Sequence, residues 1–291
     1  MRRQLMEVLL FMAGVGMQAV LAANAVVPDA AASGSGSGAS GVEAVGGSTD
    51  RAATAASPLA LGMAYVVPPH VPGSKVRTPE GLAPLLAERL AKQLPVQPVA
   101  VPQTDAFSPA GQGLQQVDAL LLPLGDEAAV RPKAVVIPSG YRSGIMAIMR
   151  TDTDIRRWED LRGRTVCLAE GSGLAGRMQA EYGAIEKVFR APADALLDLR
   201  IGGCDAAVHD SVMLEALLEF PEWKKFSARL PVQHEKDLAF VLPENDPALV
   251  QLVRVQVKKW QDAKLLAKLT KQSARDIAFE VYMDQEVPDC H

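Results

Sequence analysis

Cysteine and histidine are scarce in this sequence, which has three cysteines and four histidines among 291 residues. The histidines do not form a metal-ligand spacing with one another or with the cysteines; they are His70, His209, His234 and His291. A nucleophile-elbow sequence of the α/β-hydrolase type is also absent. The sequence therefore carries no signal for a metal site or for hydrolytic chemistry, and we expect neither a metal nor a cofactor.

An excess of positive charge is absent as well. The chain has 30 basic and 34 acidic residues, with a formal net charge of -4. A surface that follows a phosphate backbone needs clustered positive charge, so we expect no nucleic-acid partner. Hydrophobic residues make up 48% of the chain, enough to bury a sizeable core in one large domain or two smaller ones.

Residues 1–25 have the features of a signal peptide. Arg2 and Arg3 supply a positive start, Val8–Met17 is an unbroken apolar run, and small residues lead up to Ala25. The alternative, a permanent membrane anchor, needs roughly 20 predominantly apolar residues, which this run does not supply. We therefore predict export, cleavage near Ala25 and a soluble product, since no cysteine stands there to take a lipid.

Residues 26–57 are rich in alanine, serine and glycine and contain a Ser-Gly repeat at 33–38. Such a stretch has too few large apolar side chains to offset the entropy of ordering. We predict a flexible tether between the signal peptide and the folded part of the chain.

From residue 58 onward, strand-like and helical patterns alternate. Apolar runs at 59–67, 96–101 and 117–124 accompany an amphipathic helix at 81–94, and a second block of the same kind follows Tyr141. An amphipathic helix is also predicted over 249–260. This alternation predicts an α/β fold with mixed, mostly parallel sheets covered by helices.

Two of the three cysteines lie in predicted strands. Cys167 belongs to the run 165–169, and Cys204 begins the run 204–208. If the two strands are neighbours, a Cys167–Cys204 disulfide is possible in an exported protein, and we predict it. The alternative is that both are small buried hydrophobic residues. Cys290 would then be left without an assigned partner.

Glycines mark the start of a predicted helix after strand 165–169. Gly171, Gly173 and Gly176 satisfy the dinucleotide-binding pattern G-x-G-x-x-G, but Arg190 stands where that site needs an acidic residue. A tight turn followed by a helix capped by Ser172 accounts for the same residues.

Two charged residues have both a structural and a functional interpretation. Asp210 follows the apolar strand at 204–208, at the end that faces the ligand crevice in open α/β sheets, but it is also suited to cap the helix that begins at Ser211. Arg131 could clamp a carboxylate through two parallel hydrogen bonds, although an arginine before a proline is more often solvated.

Three segments together resemble family 3 extracellular solute-binding proteins, the polar amino-acid receptors of bacterial ABC importers. They are the run Trp158–Cys167, the Gly171–Gly173 turn and the run Gly203–Asp210. The resemblance implies a type II periplasmic-binding-protein fold with two lobes joined by two hinge strands. It places lobe 1 at 58–139 and 239–291, and lobe 2 at 140–238.

The resemblance also implies the location and partners of the protein. It would be a monomeric periplasmic receptor, without enzymatic activity, that captures a small polar amino acid or related carboxylate by lobe closure. It would deliver this ligand to the membrane subunits of an ABC importer.

The family's binding residues fall on named positions of this chain. Asp210 matches the aspartate that takes the ligand ammonium, and His209 beside it lines the cleft in some members. Ser172 and Gly173 match the turn that meets the ligand carboxylate, and Arg131 matches the carboxylate-clamping arginine. Tyr141 lies in the passage into lobe 2, and we include it in the ligand site.

The chain departs from the family in lobe 1. The usual acid and aromatic residue of the first strand-to-loop region align with Ala64 and Val67, and Ala128 replaces a hydroxyl residue. His70 stands where an aromatic ring is common, and we expect it in the cleft. The ligand is therefore expected to be a modified amino acid or a different carboxylate.

Two further functions fit the same resemblance. Secreted cyclohexadienyl dehydratases resemble these receptors, and His209 and Asp210 could act there as proton carriers. An accessory or sensing protein with a decayed ligand site is the other alternative, because the altered lobe 1 and the C-terminal residues 286–291 are compatible with it.

Overall fold

The computed structural model describes residues 58–101, 117–125 and 133–285. The predicted signal peptide and tether, Arg131 and Cys290 lie outside these residues.

Within the described residues, nine strands form one mixed sheet in the order β2-β1-β3-β9-β4-β7-β5-β6, with β8 paired to β4. The strands are β1 (Leu59–Met63), β2 (Val96–Ala100), β3 (Ala119–Leu124), β4 (Ala134–Met149), β5 (Thr165–Ala169), β6 (Ile185–Phe189), β7 (Ala206–Asp210), β8 (Ala228–Arg229) and β9 (Gln233–Pro243). The pairs β1–β2, β1–β3, β5–β6 and β5–β7 are parallel. Every described pair that includes β4 or β9 is antiparallel.

The two long strands β4 and β9 join the halves of the sheet. They pair antiparallel from Ala134 opposite Pro243 to Ile145 opposite Gln233, with a register shift between Pro138 and Tyr141. Gly140 lies at this shift with a φ of 91°, a conformation that favours glycine. The predicted α/β fold with two crossing strands is therefore confirmed.

Six α-helices cover the described part of the sheet. They are α1 (Ala83–Ala91), α2 (Arg177–Tyr182), α3 (Pro192–Arg200), α4 (Ser211–Leu218), α5 (Pro247–Asp262) and α6 (Leu265–Asp284). The part of the chain that the structure describes also has three short 3-10 helices, at Trp158–Leu161, Glu170–Ser172 and Pro221–Phe226. Within the described residues, no helix combines the length and the apolar character that a membrane crossing requires.

The hydrophobic residues divide into cores on either side of the crossing strands. Leu61, Leu86 and Phe240 belong to a core of the first lobe, which we define as β1–β3, α1, α5 and the adjoining ends of β4 and β9. Leu196, Leu214 and Trp223 belong to a core of the second lobe, defined as β5–β8, α2–α4 and the other ends of β4 and β9.

Helix α6 is a feature that the sequence analysis did not predict. Its buried residues Ala274, Ile277 and Val281 pack into the same core as α3 and α4. The chain therefore crosses back to the second lobe after α5, whereas the predicted division assigned all of 239–291 to lobe 1. The predicted boundaries of the two lobes stay a prediction. Helix α6, which they place in lobe 1, packs against the core of the second lobe.

Cys167 and Cys204 form a disulfide with their Cα atoms 5.9 Å apart, as predicted. Cys167 lies in β5, and Cys204 lies just before β7, the parallel neighbour of β5. This adjacency brings the two sulfurs together even though 37 positions separate them in the sequence.

Candidate functional site

A cavity of about 180 Å³ lies between the two lobes. Each lobe contributes part of its wall: Tyr65, Glu80 and Leu121 from the first lobe, and Ile145, Gly171 and Asp210 from the second. We call this cavity the cleft. A site built this way changes shape whenever the lobes move relative to each other, which suits ligand capture by closure.

Asp210 is the last residue of strand β7 and directly precedes helix α4, so it lies at the carboxyl end of that strand. Its Oδ1 accepts a hydrogen bond from the backbone N–H of Met213 at 3.0 Å, and the Tyr141 hydroxyl donates to the same oxygen at 2.7 Å. Asp210 and Tyr141 both line the cleft. Asp210 is thus a helix cap and a cleft residue at once, so the two interpretations of the sequence are compatible.

Burial shifts the pKa values of Asp210 and Tyr141. It raises the pKa of the Asp210 carboxyl, although the hydrogen bonds from Met213 and Tyr141 oppose the change. Burial also raises the pKa of the Tyr141 hydroxyl, and the neighbouring Asp210 carboxylate adds to that effect. A cation that entered the cleft beside Asp210 would favour its charged form.

Glu80, on the connection between β1 and α1, reaches across to the second lobe. Its Oε2 lies 2.8 Å from His209 Nδ1, and its Oε1 accepts from the backbone N–H of Asp210 at 3.3 Å. The His209 side chain is fully buried and that of Glu80 is 4% exposed. His209 does not line the cleft, and its Nε2 has no partner among the described residues. Its contact with Glu80 joins the lobes directly behind Asp210.

The residues before Glu80 make further contacts with the second lobe and α6. Arg77 pairs with Asp194 at 2.6 Å and also with Asp284. Thr78 donates its backbone N–H and its hydroxyl to Glu280 Oε1, at 2.9 and 2.7 Å. We call residues 75–80 the interlobe strap, because they attach the first lobe to α3, α6 and the end of β7.

The predicted glycine turn forms another part of the cleft wall. A Cβ atom on Gly171 would lie 2.9 Å from Tyr65 Cδ1 and 3.0 Å from Glu80 Cβ, so the lobes meet closely at this residue. The Ser172 hydroxyl donates to the Ala169 carbonyl at 2.7 Å and accepts from the Leu174 N–H at 3.2 Å. The serine hydroxyl therefore stabilises its own turn.

Basic side chains line the cleft together with the two carboxylates. They are Arg177, His234 and Lys236, all from the second lobe and its crossing strand. Glu181 lies 2.8 Å from Arg177 and 3.3 Å from His234, which holds those two side chains near each other. The cleft consequently presents groups that suit both signs of ligand charge.

The structure brings most of the predicted site residues to the cleft. Asp210, Tyr141, Ser172 and Gly173 line it. His209 lies behind it, and His70 is exposed and does not line it. Arg131 lies outside the described residues, so its role stays a prediction.

Sequence reasoning missed two cleft residues in the connection between β1 and α1. Tyr65 and Glu80 line the cleft, whereas the sequence alignment pointed to Ala64 and Val67 as replacements for the family's acid and aromatic residue. Ala64 does line the cleft, but Val67 is 43% exposed and does not. Tyr65, an aromatic residue two positions after β1, was the signal available in the sequence.

No family model and no curated protein matches the sequence. Similar solved structures include the arginine-bound form of truncated ArgBP from T. maritima, which is 21% identical with a TM-score of 0.44 over 69% of this chain and 95% of that one.

Two other similar structures are amino-acid-binding proteins. A substrate binding protein of an amino acid ABC transporter is 22% identical, with a TM-score of 0.44 over 74% of this chain and 97% of that one. An ancestral amino acid-binding protein, described as a precursor of cyclohexadienyl dehydratase, is 23% identical with a TM-score of 0.44 over 74% and 94%.

Proposed function

We propose that this protein is a periplasmic receptor that captures a small zwitterionic ligand, an amino acid or a related carboxylate, by closure of its lobes. It then delivers the ligand to an ABC importer. The observation that carries the proposal is the partly buried Asp210 carboxylate in a cleft that both lobes line and that basic side chains also face.

The charges of the cleft determine how such a ligand would bind. An ammonium group beside Asp210 would supply the positive partner that a buried carboxylate needs to stay ionised. The ligand carboxylate would meet the backbone N–H groups of the Gly171–Gly173 turn, and Arg177 or Arg131 would add positive charge. Tyr141 would hold Asp210 in place through its hydrogen bond to Oδ1.

The size of the cleft limits the ligand. Pockets for drug-sized molecules have volumes of roughly 300–1,000 Å³, whereas this cleft has about 180 Å³. A single amino acid or a molecule of similar size is therefore the appropriate class. Ligand favours the closed arrangement because only closure brings Tyr65 and Glu80 of the first lobe near the groups of the second.

The test is a thermal-shift screen of the full chain against amino acids, amines and small carboxylates. A ligand that binds the native state raises the melting temperature. We expect at least one zwitterion to do so with the wild-type protein and to have no effect on Asp210→Asn, which keeps a capping side chain.

A matched control for that substitution is Asp246→Asn. Asp246 also caps a helix, accepting from the Leu249 N–H at 2.9 Å, but it is exposed and outside the cleft. The control should respond to the ligand as the wild type does. If no compound shifts the wild type, or if Asp210→Asn responds equally, the proposal is wrong.

A dehydratase is a second candidate, because burial raises the pKa of a cleft carboxyl, Asp210, toward values suited to a general acid. Incubation with prephenate or arogenate tests it. Formation of the dehydrated product, lost in Asp210→Asn, would favour the enzyme over the receptor.

A further inference from the structure

A carboxylate lies directly beside the Cys167–Cys204 disulfide, in the second lobe. Asp198, on helix α3, places its Oδ2 3.2 Å from the Cys204 sulfur and 3.5 Å from the Cys167 sulfur. None of these three residues lines the cleft. A disulfide has no proton to donate, so these contacts become hydrogen bonds only when the sulfurs are reduced to thiols.

Gly203 makes this approach possible. A Cβ atom at position 203 would lie about 2.4 to 2.5 Å from both carboxylate oxygens and the Cγ of Asp198. Any side chain there would therefore force the carboxylate out of its present position beside the sulfurs. The absence of a side chain next to Cys204 thus preserves the contact between Asp198 and the disulfide.

A lysine completes the cluster. Lys187 Nζ lies 2.7 Å from the same Asp198 Oδ2, and its side chain is 46% exposed. Positive charge near a cysteine favours the thiolate form. Cys167 is fully buried, whereas Cys204 keeps 7% exposure beside the exposed Gly202–Gly203 turn. A reagent from solvent would therefore reach Cys204 first.

We propose that Cys167–Cys204 is a redox-active disulfide that exchanges with a dithiol, with Asp198 as the proton carrier for both sulfurs. A thiolate of the dithiol attacks the Cys204 sulfur, and the disulfide bond breaks. The Asp198 carboxylate accepts the proton that the dithiol loses when its thiolate forms. The Cys167 sulfur leaves with the electron pair and takes that proton from Asp198 Oδ2, so Asp198 returns to its carboxylate form.

The second thiol of the dithiol then completes the exchange. It loses its proton to the Asp198 carboxylate and attacks the dithiol-derived sulfur of the mixed disulfide. Cys204 then leaves with the electron pair and takes that proton from Asp198. The dithiol loses two electrons and two protons and becomes a disulfide. The protein gains them as two thiols, and Asp198 and Lys187 are unchanged.

The test measures reduction of the native full-length protein by dithiothreitol, with alkylation at Cys204 followed by mass spectrometry across a range of pH. General acid–base catalysis contributes about 10²–10⁴-fold, so we expect Asp198→Asn to slow reduction at neutral pH at least tenfold and to flatten its pH dependence. Asp262→Asn is the control, because Asp262 also pairs with a lysine, Lys258, at 2.7 Å, on the exposed face of α5.

A second variant keeps the proposal testable if Asp198→Asn folds poorly. Gly203→Ala leaves all charges in place but displaces the carboxylate, and it should slow reduction in the same way. The proposal is overturned if both variants react as fast as the wild type, or if the wild-type disulfide reacts only in denaturant. Uptake of one Zn²⁺ per reduced chain that blocks reoxidation would also overturn it, in favour of a metal site.

Discussion

Replacement of Glu80 by alanine tests the contact that joins the lobes behind the cleft. The Glu80 carboxylate is the acceptor for His209 Nδ1 and for the backbone N–H of Asp210. Both groups are buried or partly buried, so the substitution leaves them without their protein acceptor. A buried donor left unsatisfied costs about 1–3 kcal/mol, and two such donors give a loss of roughly 2–6 kcal/mol in the free energy of unfolding.

The assay is urea unfolding followed by tryptophan fluorescence. Glu88→Ala is the matched control. Glu88 lies on α1 with its side chain 67% exposed and pairs with Lys92 at 3.4 Å. An exposed pair of this kind contributes less than about 1 kcal/mol. If Glu80→Ala and Glu88→Ala unfold at the same urea concentration, the Glu80–His209 contact does not hold the lobes as we infer.

Two further predictions concern the same interface. Burial raises the pKa of Glu280, so its protonated form stabilises the fold at low pH, and this contribution is lost as the pH rises through the raised folded-state pKa. Glu280→Gln, which keeps an acceptor for Thr78, should therefore gain stability relative to the wild type as the pH rises above about 4.3, the ordinary pKa of glutamate. A difference in urea midpoint between the two proteins that does not change with pH would contradict this. Gly171→Ala adds a methyl group 2.9 Å from Tyr65, and we expect it to cost about 1–3 kcal/mol and to increase the radius of gyration in X-ray scattering. A radius equal to that of the wild type would show that the lobes do not meet at Gly171.

The sequence predicted the parts of the site that local pattern determines. The apolar run ending at Asp210 identified strand β7, and the glycines at 171 and 173 identified the turn after β5. The helix predicted after the glycine turn begins only at Arg177, as α2, because Gly176 has a φ of 81°. Such left-handed residues interrupt a helical pattern that hydrophobicity alone would extend.

The residues that sequence reasoning missed reach the site through tertiary contacts. Glu80 lies in a connection without regular strand or helix before α1, and only the approach of the second lobe gives its carboxylate a partner. Helix α6 was missed although Ala274, Ile277 and Val281 follow a helical spacing, since no local pattern shows that their face packs on the other lobe. His70 was expected in the cleft by alignment, but the connection turns Tyr65 toward the cleft instead.

The most direct test of the receptor proposal is a calorimetric titration of the wild type and Asp210→Asn with a zwitterion identified in the thermal-shift screen. Breaking a buried ion pair costs about 3–5 kcal/mol, which corresponds to at least a roughly hundredfold rise in Kd. We predict one bound ligand per wild-type chain and a loss of affinity of that size in Asp210→Asn. Equal affinity in the two proteins would contradict the assignment of Asp210 as the ammonium partner and, with it, the proposed binding site.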